Sequence, residues 1–320
     1  MRQSGIFPIV QWPASRTVGG PREWMRQDMQ IGINIANHRD LLSKRYIHDT
    51  ARMAEDLGFD SVWIPDHAVV PRAVEARYGP VYYDAIAVLG YLAGMTSRVR
   101  LGTTVLVIPY RHPIVLAKEL ASLDQLSEGR LILGAGVGWA EAEFQALGAS
   151  FAERGRSTDE ALRVMQTLWT QDAPQHSGPY CSFADIIFQP KPVQQPLPLW
   201  IGGQSRPALR RTARFATGWH PIDQSPAQLQ TTMVTLATLS QQAGRQIPAL
   251  CPRFTVRVRE TVSDADRQFM EGNTAQITAD ILQLQALGAA HVVLSTQTND
   301  MARFRWEVET LAAHVLPQVR

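Results

Sequence analysis

Short runs rich in β-branched and apolar residues alternate with helical patterns along almost the whole chain, and that alternation leaves few folds open. "QIGINIA" reads as a strand and is followed by the helical period of "LLSKRYIHDTARMAEDLG", which stops at Gly58. "SVWIP" precedes "DAIAVLGYLAGMTS", a helix that Asp84 is placed to cap. "VRLGTTVLVIP" precedes "PIVLAKELASLDQLSEG", with Pro113 in its first turn, and "RLILGAG" is the fourth strand. A less regular stretch holds the helix "RSTDEALRVMQTLWT" and a Pro-, Gln- and Gly-rich segment, 171–198, with a small hairpin expected at "YCSFADIIFQP". The rhythm then resumes, with "LPLWIGG", "GWHPI", "RFTVRVRE" and "HVVLST" each leading into a helix.

Strict βα alternation implies parallel strands joined by helical crossovers. Eight units between Met29 and Arg320 match an α/β fold of the single (β/α)8 TIM barrel type, with an insertion between strands four and five. A doubly wound open sheet competes less well, because no point splits the chain into two halves. Residues 1–28 precede the first strand and are expected to be an extension that is not native or is disordered; residues 29–320 form the barrel domain. In such a barrel the chemistry lies at the C-terminal strand ends.

Composition excludes several function classes. The formal net charge is +2 and no cluster of five basic residues occurs, so no nucleic-acid partner is expected. The only cysteines, Cys181 and Cys251, form no CxxC or Cys/His cluster; neither a metal site nor a disulfide framework is expected, and the setting is read as cytoplasmic. The longest apolar window, "AIAVLGYLAGM", is about half of the ~20 residues a membrane span needs, so no membrane partner is expected.

In "LILGAGVGW", Gly134, Gly136 and Gly138 alternate behind an apolar run. A dinucleotide fingerprint would read GxGxxG, with an acidic residue about 20 positions on at a strand end. Here the spacing is GxGxG, and Thr158 and Asp159 at that distance fall in a helical pattern. Alternate glycines bare one face of a strand end, which suits a flat ring lying against backbone or close packing within a barrel.

"GFDSVWIPDH", "SRVRLGTTVLVIPYRHPIVLAKELASLDQLSEGRLILGAGVGW", "FAERGRSTDEALRVMQTLW" and "LPLWIGGQSRPALRRTARFATGWHP", in this order and spacing, resemble the bacterial luciferase-like family. The branch they resemble most uses the deazaflavin coenzyme F420. The resemblance runs from about Met29 to the C-terminus and implies a (β/α)8 barrel binding F420 or FMN at its C-terminal end. It also implies a non-prolyl cis peptide at Thr104-Val105, set against the cofactor ring. The glycines Gly134, Gly136 and Gly138 would then leave room for that ring. Gly202, Gly203, Gln204 and Ser205, at a strand-to-helix junction, would cradle the cofactor phosphate at the helix N-terminus.

Asp66 and His67 match a pair that is catalytic or cofactor-facing in the family's deazaflavin sugar dehydrogenases; the histidine would move a proton and the carboxylate orient it. Those enzymes carry a glutamate directly after strand four, where this chain has Trp139, so sugar oxidation is not carried over. Glu141 and Glu143 lie nearby but off the matching position. Trp139 would wall the pocket and favour an apolar or aromatic substrate, with His112 and His220 as further pocket-lining candidates and Arg111 as a partner for an anion. The expected activity is hydride transfer between F420 and a small organic substrate. An FMN-dependent monooxygenase supplied by a flavin reductase, and a flavin-binding barrel without turnover, are the alternatives. Family members are commonly dimeric, so a homodimer is expected.

Overall fold

The computed structural model describes residues 29–36, 42–260, 262–263, 267–296, 298 and 300–320, so the expected extension 1–28 lies outside the described residues. The principal strands are β1 (Gln30–Asn34), β2 (Ser61–Ile64), β3 (Arg100–Thr103), β4 (Leu131–Gly136), β5 (Leu199–Gly202), β6 (Gly218–His220), β7 (Arg253–Val258) and β8 (His291–Thr296). The principal helices are α1 (Lys44–Asp56), α2 (Ala85–Met95), α3 (Pro113–Leu126), α4 (Glu141–Ala146), α5 (Arg154–Thr170), α6 (Arg206–Phe215), α7 (Pro226–Gln242), α8 (Thr274–Ala286) and α9 (Met301–His314).

All pairings among these strands are parallel, in the order β6, β5, β4, β3, β2, β1, β8, β7. The sheet curls: Cys251 N donates to the Trp219 carbonyl and Arg253 N to the Pro221 carbonyl, which brings the chain entering β7 alongside β6. This is an α/β fold built on a mostly parallel, curled sheet.

Local chemistry sets the helix starts. Ser43 accepts from Tyr46 N at the head of α1, and Asp84 from Ala87 N at the head of α2. Ser225 with Gln228 and Asn273 with Gln276 form reciprocal caps on α7 and α8. The hairpin in segment 171–198 pairs His176–Ser177 with Ser182–Phe183, so it begins ahead of the run expected to carry it.

Inside the curl, large side chains meet bare backbone. Trp63 and Trp200 stack with ring centroids 4.8 Å apart. A Cβ on Gly32 or Gly102 would lie 2.2–2.3 Å from Ser61 or Trp63, and one on Gly218 would lie 2.5 Å from Trp200. Polar atoms in this interior are joined in a directional chain. Trp63 Nε1 donates to Ser61 Oγ (2.6 Å), whose hydroxyl lies 2.8 Å from His291 Nε2. His291 Nδ1 lies 3.2 Å from the Gln30 side-chain oxygen, which can only accept. The His291 proton therefore sits on Nδ1, and Ser61 donates to Nε2. Burial holds His291 well below its ordinary pKa, with Arg100 and His220 acting in the same direction, so it is neutral.

Candidate active site at the C-terminal strand ends

Past Thr103 the third strand leaves its regular path. The Thr104-Val105 peptide bond is cis, and Leu106–Val107 then pair with β4. Facing glycines on β4 accommodate this detour. A Cβ on Gly134 would lie 1.9 Å from the Thr103 carbonyl oxygen, and one on Gly136 would lie 2.5 Å from Val105 Cγ2. Thr103 Oγ1 ties the crossing in place, donating to the Gly134 carbonyl (2.7 Å) and accepting from its N–H (3.0 Å). Gly138 has φ +78°, and a Cβ there would meet Phe144 and Val107. The space bared at Gly134 and Gly136 is thus filled by the chain's own third strand, which corrects the expectation that a ring occupies it directly. Val105 is the residue set among bare positions, with Gly202 on its other side.

Thr104 is buried and its Oγ1 lies 2.9 Å from His220 Nε2, while His220 Nδ1 lies 2.6 Å from the Cys251 carbonyl. A backbone carbonyl only accepts, so the His220 proton is on Nδ1 and the Thr104 hydroxyl donates to Nε2. Burial pushes His220 down to about 4; the Cys251 carbonyl opposes this and Arg253 adds to it. His220 is fully buried with both nitrogens engaged, so it holds Thr104 from beneath rather than lining an open pocket. Arg253 reaches the Thr104 carbonyl (3.2 Å) and Ser295 Oγ (3.2 Å); Ser295 also accepts from Asn34 Nδ2, while the buried Asn34 Oδ1 has no hydrogen-bond partner among the described residues.

At the rim, His67 and Asp66 point to different partners, as successive side chains at a strand end do. Asp66 is buried and accepts from Val107 N (2.9 Å) and from both terminal nitrogens of Arg111 (2.8 Å each). Arg111 also bridges to Asp84 at 2.7 Å. This clamp fixes the detour of the third strand to the ends of β2 and α2.

The carboxylate beside His67 is Glu143, on the first turn of α4. Its Oε2 accepts from His67 Nδ1 (2.9 Å) and from the Tyr110 hydroxyl (2.7 Å), and its Oε1 from Ala68 N and Val69 N (2.6 and 3.1 Å). Burial of the Glu143 carboxyl would raise its pKa, but the His67, Tyr110 and Val69 hydrogen bonds and the charge of His67 outweigh that, and it is held below the ordinary range. Burial, together with the Glu143 carboxylate that accepts its hydrogen bond, pushes the Tyr110 phenol far up, so Tyr110 stays a neutral donor. The His67 ring meets Tyr82 at 5.1 Å and Trp139 at 5.9 Å, both edge-on, and Trp139 is 53% exposed.

Gly202–Ser205 forms an exposed turn entering α6, with Gly203 at φ +93°. Ser205 Oγ caps the helix by accepting from Ala208 N (3.4 Å), and no acidic residue occupies the first turn. His112 precedes α3, exposed, with no side-chain cap bond. The structure thus groups His67 with Trp139, and Thr104 and Val105 with Gly134, Gly136, Gly202 and His220. His112 stands apart. Glu143, Tyr110 and Arg253 are site residues that reading the sequence did not select. Glu143 was weighed only by its offset from strand four, and nothing local signals a partner 76 residues away.

Among solved structures, the fold is shared with an F420-dependent secondary alcohol dehydrogenase in complex with an F420-acetone adduct (TM-score 0.78, 20% identity, 92% of this chain and 99% of that one). It is also shared with the oxygenating constituent of 3,6-diketocamphane monooxygenase from Pseudomonas putida in complex with FMN (TM-score 0.73, 17% identity, 92% and 99%). At such identities the likeness speaks for the fold alone. An uncharacterized protein of Mycobacterium tuberculosis is 30% identical over 211 residues, 62% of this chain and 72% of the relative. The family described as luciferase-like monooxygenase matches residues 29–313, and the chain belongs to that family of oxidoreductases and monooxygenases.

Proposed function

We propose that this protein transfers hydride between coenzyme F420 and a small organic substrate at the mouth of an eight-unit (β/α)8 barrel, with segment 171–198 inserted between β4 and β5. The hydrogen bonds from the β7 entry to β6 support the closed barrel. The observation that carries the activity is the His67–Glu143–Tyr110 cluster, a partly exposed base oriented by a buried carboxylate.

The residues present fit a deazaflavin or flavin. Val105 is set among positions where a Cβ cannot be added, and the Gly202–Ser205 turn offers exposed backbone at a helix N-terminus for a phosphate. A bound deazaflavin would supply the hydride-carrying carbon. Glu143 holds the His67 proton on Nδ1 and leaves Nε2 as the basic nitrogen. That atom takes the proton of an alcohol as the alcohol is oxidised, or returns it to a carbonyl oxygen in the reverse direction. Glu143 stabilises the imidazolium that forms, and Tyr110 and two backbone N–H groups keep Glu143 ionised. Trp139 covers the approach and favours an apolar or aromatic substrate.

Parallel fluorescence titrations with F420 and with oxidised and reduced FMN test this reading. Saturable F420 binding, with alcohol- or ketone-dependent turnover that is lost in His67→Asn, supports it. Tight binding of reduced FMN alone would move the protein to the flavin monooxygenases, and binding of neither would leave it without the proposed chemistry.

A further inference from the structure

Helix α6 carries four arginines in ten residues, and the fold sorts them into two kinds. Arg211 is buried; its Nε donates to Asp159 (2.5 Å) and a terminal nitrogen donates to the Gly155 carbonyl (2.9 Å), which pins α6 to α5. Arg206, Arg210 and Arg214 are exposed and recur every four residues, so they lie on one inclined row of the helix surface. Among the described residues none of these three is paired with a carboxylate. The neighbours add to the row. Arg163 of α5 and Arg214 both lie over the Phe215 ring, at 5.8 and 5.3 Å, and Arg245 donates to the Arg214 carbonyl. Arg163 and Arg245 are also exposed and, among the described residues, also without a carboxylate partner. On the other flank, α7 has no charged residue along Pro226–Gln242. Asp159 is the α5 carboxylate turned toward α6, and Arg211 takes it.

The chain is described without a break over 42–260, which supplies β5 and both helices that flank α6; the undescribed internal positions follow β1, β7 and β8. Residues 1–28 hold four arginines against one glutamate and one aspartate, so they bring no complementary charge. Like charges at i, i+4 repel, and a cation in the first turn opposes the helix dipole, so the row weakens α6 and gains nothing from the described chain. An anionic partner relieves both penalties. Spacing indicates its form. Successive row positions are about 6 Å apart along the helix, at ~1.5 Å rise per residue. Alternate side chains of an extended peptide are about 6.6 Å apart and point to one side. Three alternate carboxylates therefore meet Arg206, Arg210 and Arg214 nearly in register, each able to take two parallel hydrogen bonds from a guanidinium. A single-stranded nucleic acid would need aromatic faces for its bases, but Phe215 is buried and α7 has no aromatic residue.

We propose that the Arg206–Arg210–Arg214 row is a docking ledge for an acidic segment of a partner protein, bound extended, with alternate carboxylates paired to the three guanidinium groups. Arg163 and Arg245 widen the ledge at its Arg214 end. It requires no assumption about the cofactor held at the mouth, and its failure would leave the hydride-transfer reading untouched.

Fluorescence polarisation of the full chain with a labelled, end-blocked peptide in which glutamate alternates with alanine tests it. Binding should be saturable and should weaken as salt is raised. A peptide of the same composition with its glutamates in one block places fewer carboxylates on one side, and should bind about threefold or more weaker. Arg210→Glu, at the centre of the row and exposed, should weaken the alternating peptide about tenfold or more while its thermal midpoint stays near that of the parent. Arg305→Gln, on α9 and paired with Glu309, should change nothing. No saturable binding of the alternating peptide, equal affinity for the two peptides, or an Arg210→Glu variant that binds like the parent would overturn the proposal. So would tighter binding of oligothymidylate or of phosphatidylserine vesicles in parallel titrations, which would give the row to a nucleic acid or a membrane.

Discussion

Inside the curled sheet, His291 accepts from Ser61 and donates to Gln30, and His220 accepts from Thr104 and donates to Cys251. At the rim, His67 donates to a carboxylate that four groups hold in place. Both interior histidines are satisfied on both nitrogens by neutral groups, so burial keeps them uncharged and they act as fixed struts. His67 differs in having a charged partner and a partly exposed ring. Protonating His67 creates an ion pair, whereas protonating His220 creates a buried cation facing Arg253. The same residue type thus serves architecture in one place and, in the proposed function, proton transfer in the other, and the partner separates the two.

The largest expected effect tests the rim. His67→Asn should lower kcat by roughly 10²–10⁴-fold, the usual contribution of a positioned acid or base, with cofactor affinity and thermal midpoint nearly unchanged. Glu143→Gln should cost a sizeable part of that, because an amide cannot serve every donor now directed at the carboxylate and would disturb the His67 tautomer. The reading fails if His67→Asn turns over at the parent rate with a saturating alcohol.

Acid stability tests the interior. An unfolded histidine titrates near 6.5 and folded His220 near 4, so between those values the unfolded chain binds more protons. Stability is therefore present above about pH 6.5 and is lost as the pH falls through the window, by about 3 kcal/mol for this one group at ~1.4 kcal/mol per unit. His291 acts in the same direction. Glu143, held below its ordinary 4.5, gives up its contribution only at lower pH, so the interior should fail before the rim. Urea unfolding at several pH values should show a flatter dependence in His220→Gln, whose amide can keep both hydrogen bonds without titrating. An unchanged slope would mean that His220 is not the group responsible.

The alternation of strands and helices was legible because each run is local and its period is set by its own burial. All eight runs read as strands contain one, and Asp84 caps the helix it was expected to cap. The glycine reading was half legible. Bare faces at Gly134 and Gly136 announce a close approach, but only the fold shows that Thr103 and Val105 make it. Asp66 looked like the partner of His67 because the two are adjacent in sequence. Adjacency at a strand end sends side chains to opposite sides, and the true partner arrives on another element. The hairpin was displaced because a Pro-rich segment has no period to read.

Gly136 converts that lesson into a moderate prediction. In Gly136→Ala the new Cβ would meet Val105 Cγ2 at 2.5 Å, and a valine has no flexible end to swing aside. A cost of about 1–3 kcal/mol is expected, together with weaker cofactor binding as Val105 is displaced. Gly202→Ala, where the same side chain is 2.9 Å away, should cost less. A Gly136→Ala protein of parent stability would show that the third-strand detour is compliant, and the contrast between a rigid interior and a chemical rim would weaken.

The smallest effect isolates what Asp84 does for the rim. Its carboxylate both caps α2, through Ala87 N, and reaches Arg111, which itself clamps Asp66. Burial would raise the Asp84 carboxyl, yet the Ala87 N–H and Arg111 hold it below the ordinary range. Half of the side chain is in solvent, so the ion pair is screened and should contribute under about 1 kcal/mol. Asp84→Asn keeps a good cap and removes only the charge, whereas Asp84→Ala removes both and should cost about 1 kcal/mol more. Denaturant midpoints of the two variants measure that difference directly. If they coincide, the cap is idle and Asp84 serves the rim through Arg111 alone; in that case Asp84→Asn should also slow turnover, since loosening Arg111 loosens the Asp66 clamp that fixes the strand end carrying His67.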